Sequence, residues 1–193
     1  MEQLSNIRKK MILNRENTLL LVIDVQEKLS SVMTTELMLS MEETLCTLIE
    51  GCKVLDIPII VTEQYPKGLG DTLESIKDVL PDDVQPIAKT HFSCCDAPDI
   101  MAMIEKTGRK QLILTGMETH ICLFQTARDL LERGYDIFVP LDAVISRFED
   151  NLDVGLDLID KAGATITSME TILFDLLKKA GSPEFKAISK LIK

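Results

Sequence analysis

The sequence predicts an α/β protein: a three-layer α/β/α sandwich around a six-stranded parallel sheet. Three observations carry this. Short runs that are apolar on both faces and rich in β-branched residues recur along the chain, as strands do when helices cover both sides of a sheet. Helix-length amphipathic stretches separate those runs, the alternation that builds parallel sheets. The segments "EKTGRK", "LERGYD" and "DKAGAT" each place glycine behind basic residues, which is how a helix ends before the next strand begins. A length of 193 residues fits one large domain, 1–193, with a core over about 18–177 and a helical tail over 178–193. No internal repeat and no Pro/Ser/Gly-rich linker divides it.

The elements follow in order. "TLLLVID" gives a first strand over 18–24, and the amphipathic stretch 40–55 gives a helix. "IPIIVT" is a second strand over 57–62, and "VQPIAK" a weaker third over 84–89. A helix over 97–106 ends at "EKTGRK", and "QLILTG" forms the fourth strand over 111–116. The helix over 121–133 ends at "LERGYD" and leads into the fifth strand, "YDIFVP", over 135–140. A helix over 151–161 stops at "DKAGAT". The sixth strand, "ATITS", covers 164–168, and a last helix covers 169–179.

Composition excludes several classes of function. Hydrophobic content of 46% with 27% charged residues is that of a folded protein. A net charge of −10 opposes phosphate backbones and anionic membranes, so neither nucleic acid nor membrane is an expected partner. Runs such as "TLLLVI" and "IPIIV" fall far short of the roughly 20 apolar residues a bilayer requires. The five cysteines are odd in number and two, Cys94 and Cys95, are adjacent, a poor disulfide framework, so all are read as thiols. The segment "MEQLSNIRKKMILNREN" has no apolar signal core. A cytoplasmic location is expected, with organelle import left open by the basic N-terminal residues.

Ligands of open parallel sheets bind beyond the carboxyl ends of the strands. Those ends present Asp24 in "VIDVQEKL", Lys89 in "IAKTHFS" and Cys122 in the "GMETHIC" turn. An acid, an amine and a thiol can meet in one crevice. Asp24 ends an apolar run, where a carboxylate needs a cation or hydrogen bonds, and Lys89 can supply the cation. Cys122 lies near a helix start, where the dipole and a nearby ammonium favour a thiolate, while the Asp24 charge pulls the other way and disfavours a standing one. Each has a plainer reading. Asp24 can be a helix cap, Lys89 a solvated strand end, and Cys122 a buried thiol packing helix on sheet.

The segments "LLLVIDVQ", "EQYPKGLG", "AKTHFS", "LTGMETHICLFQTARDLLERGYDIFVPLDAVISR" and "ITSMETILFDLL" resemble the isochorismatase-like cysteine hydrolase family over about 18–177. "EQYPKGLG" looks most like the isochorismatase domain-containing subgroup. The resemblance implies a Rossmann-like sandwich and a catalytic triad of Asp24, Lys89 and Cys122. It also implies a cis peptide at Met117–Glu118, with the backbone N–H groups of Glu118 and Cys122 turned toward the substrate oxygen. The implied reaction is hydrolysis of a C–N bond in a small carbonyl or amide compound through a Cys122 thioester. Nicotinamidases of the family hold a metal with an Asp and two His after the second strand, but this chain has "TEQYPKGLG" there. Glu63 alone cannot make such a site, so no metal and no cofactor are expected. Isochorismatases proper lack the cysteine, which argues against isochorismate as substrate.

Tyr65, Phe92, Met117 and His120 are candidate pocket residues, with ordinary packing the alternative for Tyr65 and Phe92 and a solvent-facing position for His120. His91, Cys94, Cys95 and Asp96 in "HFSCCD" read as a structural loop rather than metal ligands. Gln125, Thr126 and Arg128 read as an exposed polar helix face. The stripe Ile172, Leu173, Leu176 and Leu177 packs either internally or against another copy, and a homo-oligomer is expected. Two other functions compete with hydrolysis. One is a thiol redox protein pairing Cys122 with Cys94 or Cys95, and the other a catalytically silent interaction module.

Overall fold

The computed structural model describes residues 11–193. The expectation drawn from the first 17 residues therefore lies, for residues 1–10, outside the described residues. The strands are β1 (Thr18–Ile23), β2 (Ile59–Gln64), β3 (Ile87–Lys89), β4 (Gln111–Met117), β5 (Asp136–Pro140), β6 (Val144–Ile145) and β7 (Thr165–Thr167). They form one sheet in the order β3-β2-β1-β4-β5-β7, with β6 paired to the end of β4. Every pairing between named strands is parallel. The two-residue β6 raises the expected six strands to seven; it is too short to show a period of its own. β2 begins two residues later than expected and runs to Gln64, which carries its polar end up beside Asp24.

The longer helices are α1 (Thr35–Val54), α2 (Pro98–Lys106), α3 (Phe124–Glu132), α4 (Glu149–Ala162), α5 (Met169–Leu177) and α6 (Pro183–Leu191). Alternation along β1 divides the core. Leu20 and Val22 face a cluster with Leu45, Leu48 and Ile49 of α1 and Ile172, Leu173 and Leu176 of α5. Leu19, Leu21 and Ile23 face Ile100 and Ile104 of α2, Leu130 of α3 and Ile159 of α4. Burying a leucine or isoleucine side chain contributes about 1.5–3 kcal/mol, and β1, buried throughout, carries this on both faces.

Three expectations change in detail. The helix anticipated over 121–133 opens as a π turn, Thr119–Leu123, and becomes α-helical only from Phe124. The last helix breaks after Leu177, where Lys178 and Gly181 take left-handed φ of 60° and 91° and Pro183 starts α6. The α5 stripe packs inward on α1 rather than outward. Gly108, Gly134 and Gly163, the three expected caps, all have positive φ. Among the described residues no helix is long and apolar enough to cross a membrane.

Candidate active site

The strand order reverses between β1 and β4, because the chain leaves β1 toward β2 and β3 and returns on its other side. Asp24 follows β1 at this switch point with φ 56°, a left-handed conformation that aspartate tolerates better than most residues. Its neighbour across the switch is Gly116, where any Cβ would collide with the Ile23 carbonyl. Glycine there lets β4 approach the backbone that carries Asp24.

Both carboxylate oxygens of fully buried Asp24 are engaged. Thr62 donates its hydroxyl to Oδ1 at 2.7 Å, and Lys89 Nζ donates to Oδ2 at 2.6 Å. The Lys89 ammonium also faces Gln64 Oε1 at 2.7 Å, the Phe92 carbonyl at 3.2 Å and the His91 carbonyl at 3.3 Å. A lysine has three N–H groups, so these four acceptors leave no donor for a substrate. Burial alone would pull the ammonium's pKa down. The Asp24 carboxylate beside it outweighs that effect and holds it above the ordinary lysine value.

Cys122 completes the cluster. Its side chain is nearly buried in the π turn, where the Asp24 carboxylate and the Lys89 ammonium both act on the thiol. Burial first, and the Asp24 charge second, push the thiol well above its ordinary pKa, with Lys89 pulling only partly the other way. Of the two opposing expectations at this thiol the Asp24 side prevails: the low-dielectric surroundings and the carboxylate outweigh the ammonium and the helix end. The resting group is a thiol beside a carboxylate. The fully buried Cys52 and Cys94 thiols are raised to about 12 by burial, and Cys95 to about 11.

The Met117–Glu118 peptide is cis. Glu118 is the residue before the π turn, and its carboxylate accepts from Arg147 N at 3.0 Å and Arg147 Nε at 3.1 Å. His120 is half-buried, with Nδ1 3.0 Å from Ser146 Oγ. Gly155 of α4 packs on this turn so closely that a Cβ would lie 2.8 Å from His120 N.

The remaining candidates separate. Met117 is wholly buried in the α1-side core, so its side chain is packing and not a pocket wall; as part of a strand covered on both faces, it has no open side. Tyr65, at left-handed φ 39°, borders a cavity of about 420 Å³ together with Lys67, Ala88, His91, Pro98 and Ile100. Lys89 touches that cavity, while Asp24, Cys122 and Phe92 are not among its walls. Phe92 takes part through its carbonyl, and the residue is 53% exposed. Thr126 is buried, not on an exposed polar face: its hydroxyl accepts from Cys94 N at 3.0 Å and ties the "HFSCCD" loop to α3. All five cysteines are free, and among the described residues no three His, Cys, Asp or Glu side chains are placed to share a metal ion.

Residues 18–171 match the family model of the isochorismatase domain. The chain belongs to that family. Within it, the chain is 40% identical over 181 residues to the secreted isochorismatase effector Isc1 of Phytophthora sojae, covering 92% of this chain and 85% of that one. It is 33% identical to isochorismatase domain-containing protein 2 of Xenopus laevis, covering 98% and 90%. Among solved structures, the MAR1 ribonuclease of Caenorhabditis elegans superposes with TM-score 0.87 at 38% identity, covering 94% and 92%. The isochorismatase family and its fold, a parallel sheet flanked by helices, are therefore those of this chain.

Sequence reasoning passed over Thr62, Gln64 and Gln26. Attention went to Glu63, but strand alternation turns that side chain away, where it accepts from Thr72 N at 2.7 Å and Thr72 Oγ1 at 2.8 Å. The same alternation puts Thr62 and Gln64 on the side of Asp24 and Lys89. The polar i, i+2 pair at the end of an apolar strand was the available signal.

Proposed function

We propose that the chain is a metal-free cysteine hydrolase that cleaves a C–N, amide-like bond of a small molecule, with Asp24, Lys89 and Cys122 as its catalytic group. The observation that carries this reading is the nearly buried Cys122 thiol under the influence of a buried carboxylate that Lys89 and Thr62 hold in place. Asp24 takes the thiol proton as sulfur attacks the carbonyl carbon, and the backbone N–H groups of Glu118 and Cys122 stabilise the oxyanion. The C–N bond breaks as Asp24 passes that proton to the leaving nitrogen. Water then attacks the thioester, Asp24 again moving the proton, and the acid leaves with the thiol restored. Lys89, saturated by its acceptors, keeps Asp24 in position and binds no substrate.

The redox alternative has less support. Cys94, the neighbouring sulfur, is held as a thiol by burial, and disulfide exchange starts from a thiolate. Three similar solved structures bear the name ribonuclease or putative ribonuclease, but the charge of −10 opposes a polyphosphate substrate here. We place the protein in the cytoplasm, in keeping with its free thiols, and as a homo-oligomer, which light scattering tests. Small amides and ureido compounds, screened for release of ammonia or amine, test the reaction. Turnover is expected to be lost in Cys122→Ser and Asp24→Asn, and a Cys122→Ser variant with native activity would end the mechanism.

A further inference from the structure

Gln64, 8% exposed at the end of β2, has no part in the chemistry above, yet it is bound at every polar atom. Its Oε1 accepts from Lys89 Nζ at 2.7 Å, and its Nε2 donates to the Thr90 carbonyl at 2.9 Å. Only one orientation of the amide satisfies both, since an ammonium must face oxygen and a carbonyl must face N–H. The backbone is clamped as firmly. Gln64 N donates to Gln26 Oε1 at 2.7 Å, and Gln26 Nε2 donates to the Gln64 carbonyl at 3.1 Å and to the Gly70 carbonyl at 2.7 Å. Tyr65 N donates to the Lys89 carbonyl at 2.8 Å. β2, β3 and the loops after them are thus fixed around one ammonium.

The chemistry of that acceptor matters. A glutamate would have nearly the same shape and reach Nζ equally well, so shape does not require glutamine. What glutamine adds is neutrality. Lys89 has two strong side-chain acceptors, and only Asp24 carries charge.

We propose that Gln64 acts through its neutrality: as the second side-chain acceptor of the Lys89 ammonium it carries no charge, and so reserves that positive charge for the Asp24 and Cys122 pair. The proposal rests on the reading of those three residues as the reactive group. In a low-dielectric site a second carboxylate would be felt strongly. It would share the ammonium and set a further negative charge near the sulfur.

The test uses the full chain and needs no substrate, so its failure is distinct from failure to find an amide that turns over. Cys122 is alkylated with iodoacetamide at pH 8 and the adduct mapped, in the native protein, Gln64→Glu and Gln64→Met, with thermal unfolding of each. Gln64→Glu is expected to slow alkylation about tenfold, equivalent to about one unit in the thiol's pKa, while neutral Gln64→Met stays within about threefold of native. A Gln64→Glu chain that unfolds as its carboxyl ionises, beside a folded Gln64→Met, gives the same answer. Native reactivity in Gln64→Glu overturns the proposal. So does equal slowing, or equal unfolding, in both variants, for then Gln64 is packing and its neutrality is irrelevant.

Discussion

Removing the Lys89 ammonium should cost far more than its short hydrogen bonds alone suggest. Two ion pairs in the molecule have nearly the same length: Lys89 to Asp24 at 2.6 Å, with both side chains 0% exposed, and Lys161 to Asp157 at 2.5 Å, with side chains 69% and 57% exposed. Distance cannot separate them, but burial does. In Lys89→Met, Asp24 keeps the Thr62 hydroxyl but loses its cation, and an uncompensated buried carboxylate costs about 3–5 kcal/mol. For a chain of this size that corresponds to a fall in Tm of roughly 6–20 °C. Lys161→Met should cost at most about 1 kcal/mol. The double variant Lys89→Met with Asp24→Asn should recover part of the loss, because it leaves no buried charge. Denaturant and thermal unfolding of these three variants and the native chain give the comparison. A Lys89→Met cost below about 1 kcal/mol, matching Lys161→Met, would refute the claim that burial makes this pair indispensable.

Leu173→Ala should destabilise by about 2–5 kcal/mol and leave the oligomeric state unchanged, since the α5 stripe packs on α1; a changed mass in light scattering would contradict this. Stability should fall at alkaline pH, because the folded thiols of Cys52 and Cys94 ionise only near about 12 and unfolded thiols near ~8.5. Their contribution is complete below pH ~8.5 and is lost as pH rises toward the folded values. Cys52→Ala should flatten that decline in denaturant melts, and an unchanged pH slope would count against it. Activity should survive chelator treatment; activity lost with stoichiometric zinc and restored by it would reverse the metal-free reading.

The sequence by itself determined the layers and the order of elements. Apolar runs such as 18–23 and 111–116 have to be covered on both faces wherever they lie, and glycine behind basic residues stops a helix whatever surrounds it. Those are local rules, so local text states them. It also placed Asp24, Lys89 and Cys122 at strand ends, through position and family motif together. Three things belonged to the tertiary structure alone. The identity of Gln64 and Thr62 as partners depended on which face of β2 meets Asp24, and this is decided by pairing with β1 and β3. The inward turn of the α5 stripe depended on where α1 lies, since an apolar face does not specify what will cover it. The ionisation of Cys122 depended on balance. Its sequence context shows a helix start and a lysine on one side and Asp24 on the other, but which prevails is set by every charge and every lost water around the sulfur. Here burial and the Asp24 carboxylate together outweigh the Lys89 ammonium.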